Sequence, residues 1–184
     1  KLKYIINNSC YASVGTVSTE NDIERIESYI IYNKNFINSF PFVITCNNKM
    51  SKLTNEKLLD RYNSVWKDYF GDKVVNLPAI ENKGHTFGIF DIENAIFEYT
   101  SKHKDKIKWV WKFAFDIVCN IGIFETEVEE ADFYYINNIG YKFLVDNNFD
   151  VDICLNKIET GKYFYPQTPY YIIRNDIDEL NDSV

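Results

Sequence analysis

Ile107-Lys108-Trp109-Val110-Trp111-Lys112-Phe113-Ala114-Phe115-Asp116-Ile117-Val118-Cys119-Asn120 is the stretch on which the reading of this chain turns. Its Trp, Phe and β-branched residues, with no Gly or Pro, predict a strand buried on both faces that carries one carboxylate, Asp116, near its end. Asp is seldom buried alone. Asp116 is therefore expected to be paired, to cap the following turn, or to face a cation in a cleft at the carboxyl end of the strand. Lys112, on the same two-sided strand, must reach either an anion or the surface.

The 184 residues suffice for one α/β domain and are short for two. At 46% hydrophobic and 17% aromatic the chain can bury a substantial core, which argues against disorder. The formal charge of −7 and pI near 4.9 give no electrostatic footprint for nucleic acid or for an anionic membrane. No apolar run reaches the length of a membrane span, and the start Lys1-Leu2-Lys3-Tyr4 lacks a signal-peptide pattern. Residue 1 is not Met, which leaves trimming at either end open. Cys10, Cys46, Cys119 and Cys154 form no Cys-x-x-Cys, read as reduced core thiols, and fit a cytoplasmic setting.

Around the anchor, strands and helices alternate. Tyr4 to Asn8 reads as a first strand whose polar end opens into a small-residue loop, Ser9 to Thr19. Asn21, with Glu24 three residues on, can cap a helix over about 22–38 that carries Ile23, Ile26, Ile30 and Ile37 on one face. A second strand, Phe42 to Cys46, ends at Asn47-Asn48. Thr54 can cap a second helix with Leu58, Tyr62, Val65 and Tyr69 on one face, closed by Gly71-Asp72. Residues 73–77 read as a third strand, stopped by Pro78. This alternation predicts right-handed α/β units around a mostly parallel sheet.

Glu81 to Asp91 contains Asn82-Lys83-Gly84-His85-Thr86-Phe87-Gly88 ahead of a helix over about 89–102. Free N–H groups at that helix start suit a phosphate or a sugar hydroxyl, while a tight turn stabilised by His85 reads equally well. It is neither a P-loop nor a dinucleotide fingerprint. Beyond the anchor, Glu125, Glu127, Glu129, Glu130 and Asp132 form an acidic run. Four of the five read as a solvated face, and Asp132 abuts the aromatic block Phe133 to Tyr141, where partial burial would raise its pKa. Short antiparallel strands are expected at 143–145, 151–155 and 163–165, then a loop Pro166-Gln167-Thr168-Pro169 and a last strand over 170–174.

The order of these elements, with the loop at Asn82 to Gly88 and the strand Lys112 to Asp116, resembles the GT-A type of glycosyltransferase. It is most similar to the small, Asn- and Tyr-rich glycosyltransferase-like proteins of phages and large viruses. The resemblance implies a single GT-A-like domain over 1–184: a mixed, mostly parallel sheet flanked by helices, with a small antiparallel C-terminal part. It also implies transfer of a sugar from a nucleotide-diphosphate sugar donor to a glycan or protein acceptor, in the host cytoplasm if the chain is viral. Asn7, Asn8, Ser9, Asn47, Asn82, Lys83, Gly84, His85, Lys112 and Asp116 would bind the donor. Asp116 would hold Mn²⁺ or Mg²⁺, although the usual paired acidic motif is reduced here to that one residue, with Ala114 and Phe115 before it. Asp132 or Asp91 would serve as base, and Gln167, Thr168 and Tyr170 would meet the acceptor. The departing diphosphate gains negative charge, so a cation, helped by Lys83, His85 or Lys112, is the chemistry such a site needs.

Two rival classes stay open. The reduced acidic motif fits a non-catalytic nucleotide-sugar or carbohydrate-binding module on the same scaffold. Another doubly wound enzyme, a nucleotidyltransferase or methyltransferase, is the second; the methyltransferase is disfavoured because Asn7-Asn8-Ser9-Cys10, not a Gly-rich loop, follows the expected first strand.

Overall fold

Chain order and right-handed crossover together dictate the layers of this molecule. The computed structural model describes residues 2–49, 56–81, 85–114, 119, 121–125, 133–136, 155–157 and 170–175. Strands β1 (Ser9–Val17), β2 (Phe42–Lys49), β3 (Val74–Asn76) and β5 (Trp109–Ala114) run parallel in the order β3-β2-β1-β5, and β4 (Ile80–Glu81) pairs with the end of β2 beyond β3. Beyond β5 the sheet turns antiparallel, through β8 (Tyr170–Arg174), β6 (Phe133–Ile136) and β7 (Leu155–Lys157). Helices α1 (Glu20–Asn38) and α2 (Glu56–Phe70) connect strands stepping one way across the sheet, and α3 (His85–Ser101) connects strands stepping back. Right-handed crossovers then put α1 and α2 on one face and α3 on the other. The mostly parallel α/β sheet flanked by helices is thus present.

The packing follows that division. On the α1/α2 face, Tyr11, Val43, Trp111 and Phe113 of the sheet meet Ile26, Ile30, Phe36, Tyr62 and Trp66, all buried. Tyr11 stacks on Phe113 at 5.7 Å and 7° between planes, and Phe36 on Phe124 at 5.2 Å and 10°. On the α3 face the strands present smaller side chains, Cys10, Ala12, Ile44, Cys46 and Val110, against Ile92 and Ile96. Trp109, Val110, Trp111, Lys112 and Phe113 are all buried, so β5 has the two-sided burial that its composition predicts.

The first strand is corrected. Leu2–Asn8 forms a short 3-10 helix, and the expected loop Ser9 to Thr19 is instead the central strand β1 and its turn into α1. Ile5 and Ile6 are core residues, but they seal the sheet's amino edge rather than pair within it. The α1 cap is also displaced: Thr19 is the N-cap, and Asp22, not Glu24, completes the capping box. Helix α2 ends at Gly71, whose φ of +62° is the left-handed conformation that glycine adopts without strain. Helix α3 starts at His85, four residues earlier than its sequence pattern suggests. The proposed cap Thr54 and the strands expected at 143–145 and 163–165 lie outside the described residues. Of the strand expected at 151–155 only Leu155 is described, and it begins β7.

Candidate site at the carboxyl edge of the parallel strands

β1 is followed by a connection to β2 on one side, while β5 lies on its other side, so the strand order reverses between β1 and β5. In open α/β sheets, ligands bind in the crevice outside the carboxyl ends at such a switch point. Here that edge is formed by Gly15 to Val17 at the end of β1 with Ser18 and Thr19 beyond it, Asn47 to Lys49 on β2 and Asn76 on β3, and helices α1 and α3 begin beside it. The sheet turns polar as it approaches this edge. Ser13, Thr45, Asn47 and Asn48 are all buried, whereas Cys10 to Ala12 on β1 and Phe42 to Ile44 on β2 are mainly apolar.

Thr45 and Asn47 are held by amides of β3 and α2. The Thr45 hydroxyl donates to Asn76 Oδ1 at 2.6 Å, and the Asn76 amide donates to the Asn63 carbonyl at 3.2 Å. Asn47 Nδ2 donates to Asn63 Oδ1 at 3.4 Å, which ties β2 and β3 to α2. The β1–α1 turn is fixed as well, because Asp22 Oδ2 accepts from the backbone N–H of Ser18 at 2.7 Å and of Thr19 at 2.8 Å. That carboxylate satisfies N–H groups that would otherwise face a ligand at the start of α1. Arg61 pairs with Glu20, and Lys49 pairs with Glu56 at 3.7 Å, so these basic side chains at the rim have carboxylate partners. Asn48 differs. It is 5% exposed, on the β2 face that packs against α3, and its Oδ1 has no hydrogen-bond partner among the described residues. A buried carbonyl oxygen of that kind accepts readily from a ligand donor.

The residues singled out by sequence do not all converge here. Asn7 and Asn8 are exposed at the amino edge, the end of β1 opposite the crevice, because the strand begins where a loop was expected. Ser9 is buried at that same edge; its hydroxyl donates to the Ile5 carbonyl at 2.7 Å and accepts from Trp111 Nε1 at 3.0 Å. None of the three stands where a donor would lie over the carboxyl ends. Asn47 does, within the amide network. Lys112 reaches an anion inside the fold: its Nζ lies 2.5 Å from Glu93 Oε1 of α3, and both side chains are nearly inaccessible, at 5% and 3%. Asp91 sits near the end of the second turn of α3, half-buried, and His85 is the first residue of that helix rather than part of a loop. Tyr170 begins β8, paired opposite Phe113. Asn82, Lys83, Gly84, Asp116, Asp132, Gln167 and Thr168 lie outside the described residues. Among the described residues no three His, Cys, Asp or Glu side chains gather as metal ligands would.

Asn48, Asn63 and Asn76 are absent from the sequence-derived site. The signal for Asn48 was its place beside Asn47 at the polar end of an apolar strand; Asn63 and Asn76 join only through the α2–β3 crossover. Burial pushes the Cys46 thiol up to about 12, so this thiol, beneath Asn48 on the same face, stays protonated and unreactive.

No family model and no curated protein sequence matches the chain. Among solved structures it is similar to the mannosyltransferase Ktr4p from S. cerevisiae in complex with GDP, at 15% sequence identity and a TM-score of 0.32. The likeness covers 78% of this chain and 39% of that one. Among the described residues no helix is long and apolar enough to cross a membrane.

Proposed function

We propose that this chain is a glycosyltransferase that binds a nucleotide-diphosphate sugar over the carboxyl ends of β1, β2 and β5 and passes the sugar to a hydroxyl acceptor. The observation that carries the reading is the polar edge at the switch point, above all the buried Asn48 Oδ1 at the end of β2, without a hydrogen-bond partner among the described residues. A nucleoside offers N–H and O–H donors to such an acceptor, and neutral amides discriminate bases by hydrogen bonding rather than by charge. Asn48 and the Asn47–Asn63 network would hold the nucleoside, and Asn82, Lys83 and Gly84 would bind the phosphates.

A divalent ion, Mn²⁺ or Mg²⁺, would supply neutralisation of the leaving diphosphate. Asp116 would be its protein ligand, with water and diphosphate oxygens completing a hard-cation shell. Lys112, expected at the donor, is paired with Glu93 in the core. Asp132 would take the proton of the acceptor hydroxyl, and Gln167, Thr168 and Tyr170 would orient that acceptor. The lone acidic residue of the Lys112 to Asp116 stretch favours a second reading, a module that binds the nucleotide sugar without turning it over.

The experiment is thermal stabilisation by a panel of nucleoside diphosphates and nucleotide sugars, with and without Mn²⁺, on the wild type, Asn48→Ala and Asp116→Ala. Ligand at 100 times its dissociation constant should stabilise the native state by about 2.7 kcal/mol. A shift with one nucleotide, weakened in Asn48→Ala and stripped of its metal dependence in Asp116→Ala, is expected. No shift with any nucleotide would sink both readings. A shift without release of free nucleoside diphosphate from the sugar donor would select the binding module.

A further inference from the structure

Positive charge collects at the amino edge of the sheet, the end remote from the crevice, in a chain whose formal charge is −7. The turn from α3 into β5, Lys102-His103-Lys104-Asp105-Lys106-Ile107-Lys108, sets four Lys against one Asp, and of the seven only Ile107 is buried. Its backbone is fixed. The N–H groups of Lys106 and Ile107 both donate to the His103 carbonyl, at 3.0 and 2.9 Å, and the His103 ring stacks on Tyr99 at 4.3 Å. Lys102 pairs with Glu98 at 2.7 Å, whereas Lys106 and Lys108 are exposed and form no ion pair with a carboxylate among the described residues. Asn175 is bound to the same turn, by its backbone N–H to the Lys108 carbonyl at 2.9 Å and by its side-chain amide to the carbonyls of Thr100 and Ile107 at 2.7 and 2.8 Å. The chain therefore leaves β8 against the basic turn, and the residues that follow, Asp176-Ile177-Asp178-Glu179-Leu180-Asn181-Asp182, bring four carboxylates and no Lys or Arg.

We propose that this acidic segment, residues 176–182, docks on the α3–β5 turn and is the occupant of the chain's basic face. Reach permits it. A fully extended chain advances at most about 3.6 Å per residue, so Asp176 and Asp178 cannot be carried farther than about 11 Å from the Asn175 anchor, where Lys108 stands. One exposed ion pair contributes little, because solvent and salt screen it and two long side chains must be held still. Several pairs on a segment already tied to the turn act together, since the tether replaces a bimolecular encounter by an effective concentration on the order of millimolar. Another polyanion must then displace the chain's own carboxylates before it meets Lys106 and Lys108, and weak anionic competitors are kept off the face. The inference stands apart from sugar transfer, because the turn lies at the opposite end of the sheet from the crevice.

The test reads amide NMR spectra of the full chain as wild type, as the neutral-tail variant Asp176→Asn/Asp178→Asn/Glu179→Gln/Asp182→Asn, and as Lys106→Ser/Lys108→Ser. Neutralising the tail is expected to shift amides of 102–108 and leave those of β2 and α2 in place, and the Lys variant is expected to shift amides of 176–182. Raising the ionic strength from about 0.01 M to about 1 M contracts the Debye length from about 30 Å to about 3 Å, and should move the wild-type signals of both segments toward their positions in the variants. Unmoved amides at 102–108 in the neutral-tail variant would overturn the docking. Heparin, added to the wild type as a probe polyanion, decides who owns the turn. Shifts at 102–108 together with 176–182 are the displacement expected, and an unmoved spectrum is what a closed turn gives. Shifts at 102–108 with none at 176–182 would refute the proposal and leave the basic turn open to an external polyanion.

Discussion

Lys112 was legible as a problem before its solution was. A cation on a strand buried on both faces must find an anion, and the sequence contains 27 acidic residues that could supply one. Which one it meets depends on α3 crossing back over β5, a fact of topology that no local pattern carries. The thiols were read more directly: all four cysteines were expected as reduced core thiols, Cys46 within a run of strand-forming residues, and Cys10 and Cys46 are fully buried. Burial raises the Cys46 pKa from an unfolded value near 9.0 to about 12. Below pH 9 both folded and unfolded states keep this proton, and stability is unaffected. Between pH 9 and 12 the unfolded chain loses the proton and the folded one retains it, so native stability falls as pH rises, by up to about 1.4 kcal/mol per pH unit for one such thiol. Denaturant midpoints at pH 8 and pH 10.5 should therefore differ less in Cys46→Ala than in the wild type. Equal differences would mean that Cys46 ionises alike in both states.

At the scale of elements, the helices were legible and the first strand was not. Ile23, Ile26, Ile30 and Ile37 do face the core, and Tyr62 lies at the centre of the buried face of α2. The sequence Ser9-Cys10-Tyr11-Ala12-Ser13-Val14-Gly15-Thr16-Val17 misled because a central strand squeezed between two helical layers has small side chains where the helices come close. Small residues read as loop when strand propensity alone is weighed, since propensity measures fit to a pleated surface and says little about how near a helix must pass. The cost fell on the site: with β1 shifted, the residues taken for its polar end, Asn7, Asn8 and Ser9, moved to the opposite edge. The turn that does follow β1 is held by Asp22, which takes two backbone N–H groups and completes the capping box with Thr19. Asp22→Ala should lower stability by about 1 kcal/mol, with a range of about 0.5–2. Chemical denaturation would show it as a lower midpoint at unchanged slope, whereas no change in midpoint would mean that water serves those N–H groups equally well.

Across the whole molecule, the chain's late segment is inserted next to its central strands. β8 lies between β5 and β6, with five residue pairs to the first and three to the second. It therefore joins the parallel half of the sheet to the antiparallel half, and Asn175 just beyond it fastens the turn between α3 and β5. The sequence showed the strand but could not show its neighbours, because an antiparallel partner 57 to 65 residues distant leaves no local mark on either strand. The consequence is that β5, whose Trp109, Trp111 and Phe113 are core residues, becomes an edge if β8 is removed. An apolar edge strand is open to pairing with other chains, and the loss of non-local contacts is not recovered by local ones. A chain ending at Pro169 is expected to lose its cooperative melt and to aggregate, while one ending at Asn175 keeps both strand and turn and melts cooperatively. Circular dichroism melts with light scattering would distinguish the two. Cooperative melting of the shorter chain would show that the parallel strands β3-β2-β1-β5 and their three helices form a complete core by themselves. In that case the switch-point crevice would owe nothing to the antiparallel half, and a nucleotide that stabilised the longer chain would stabilise the shorter one equally.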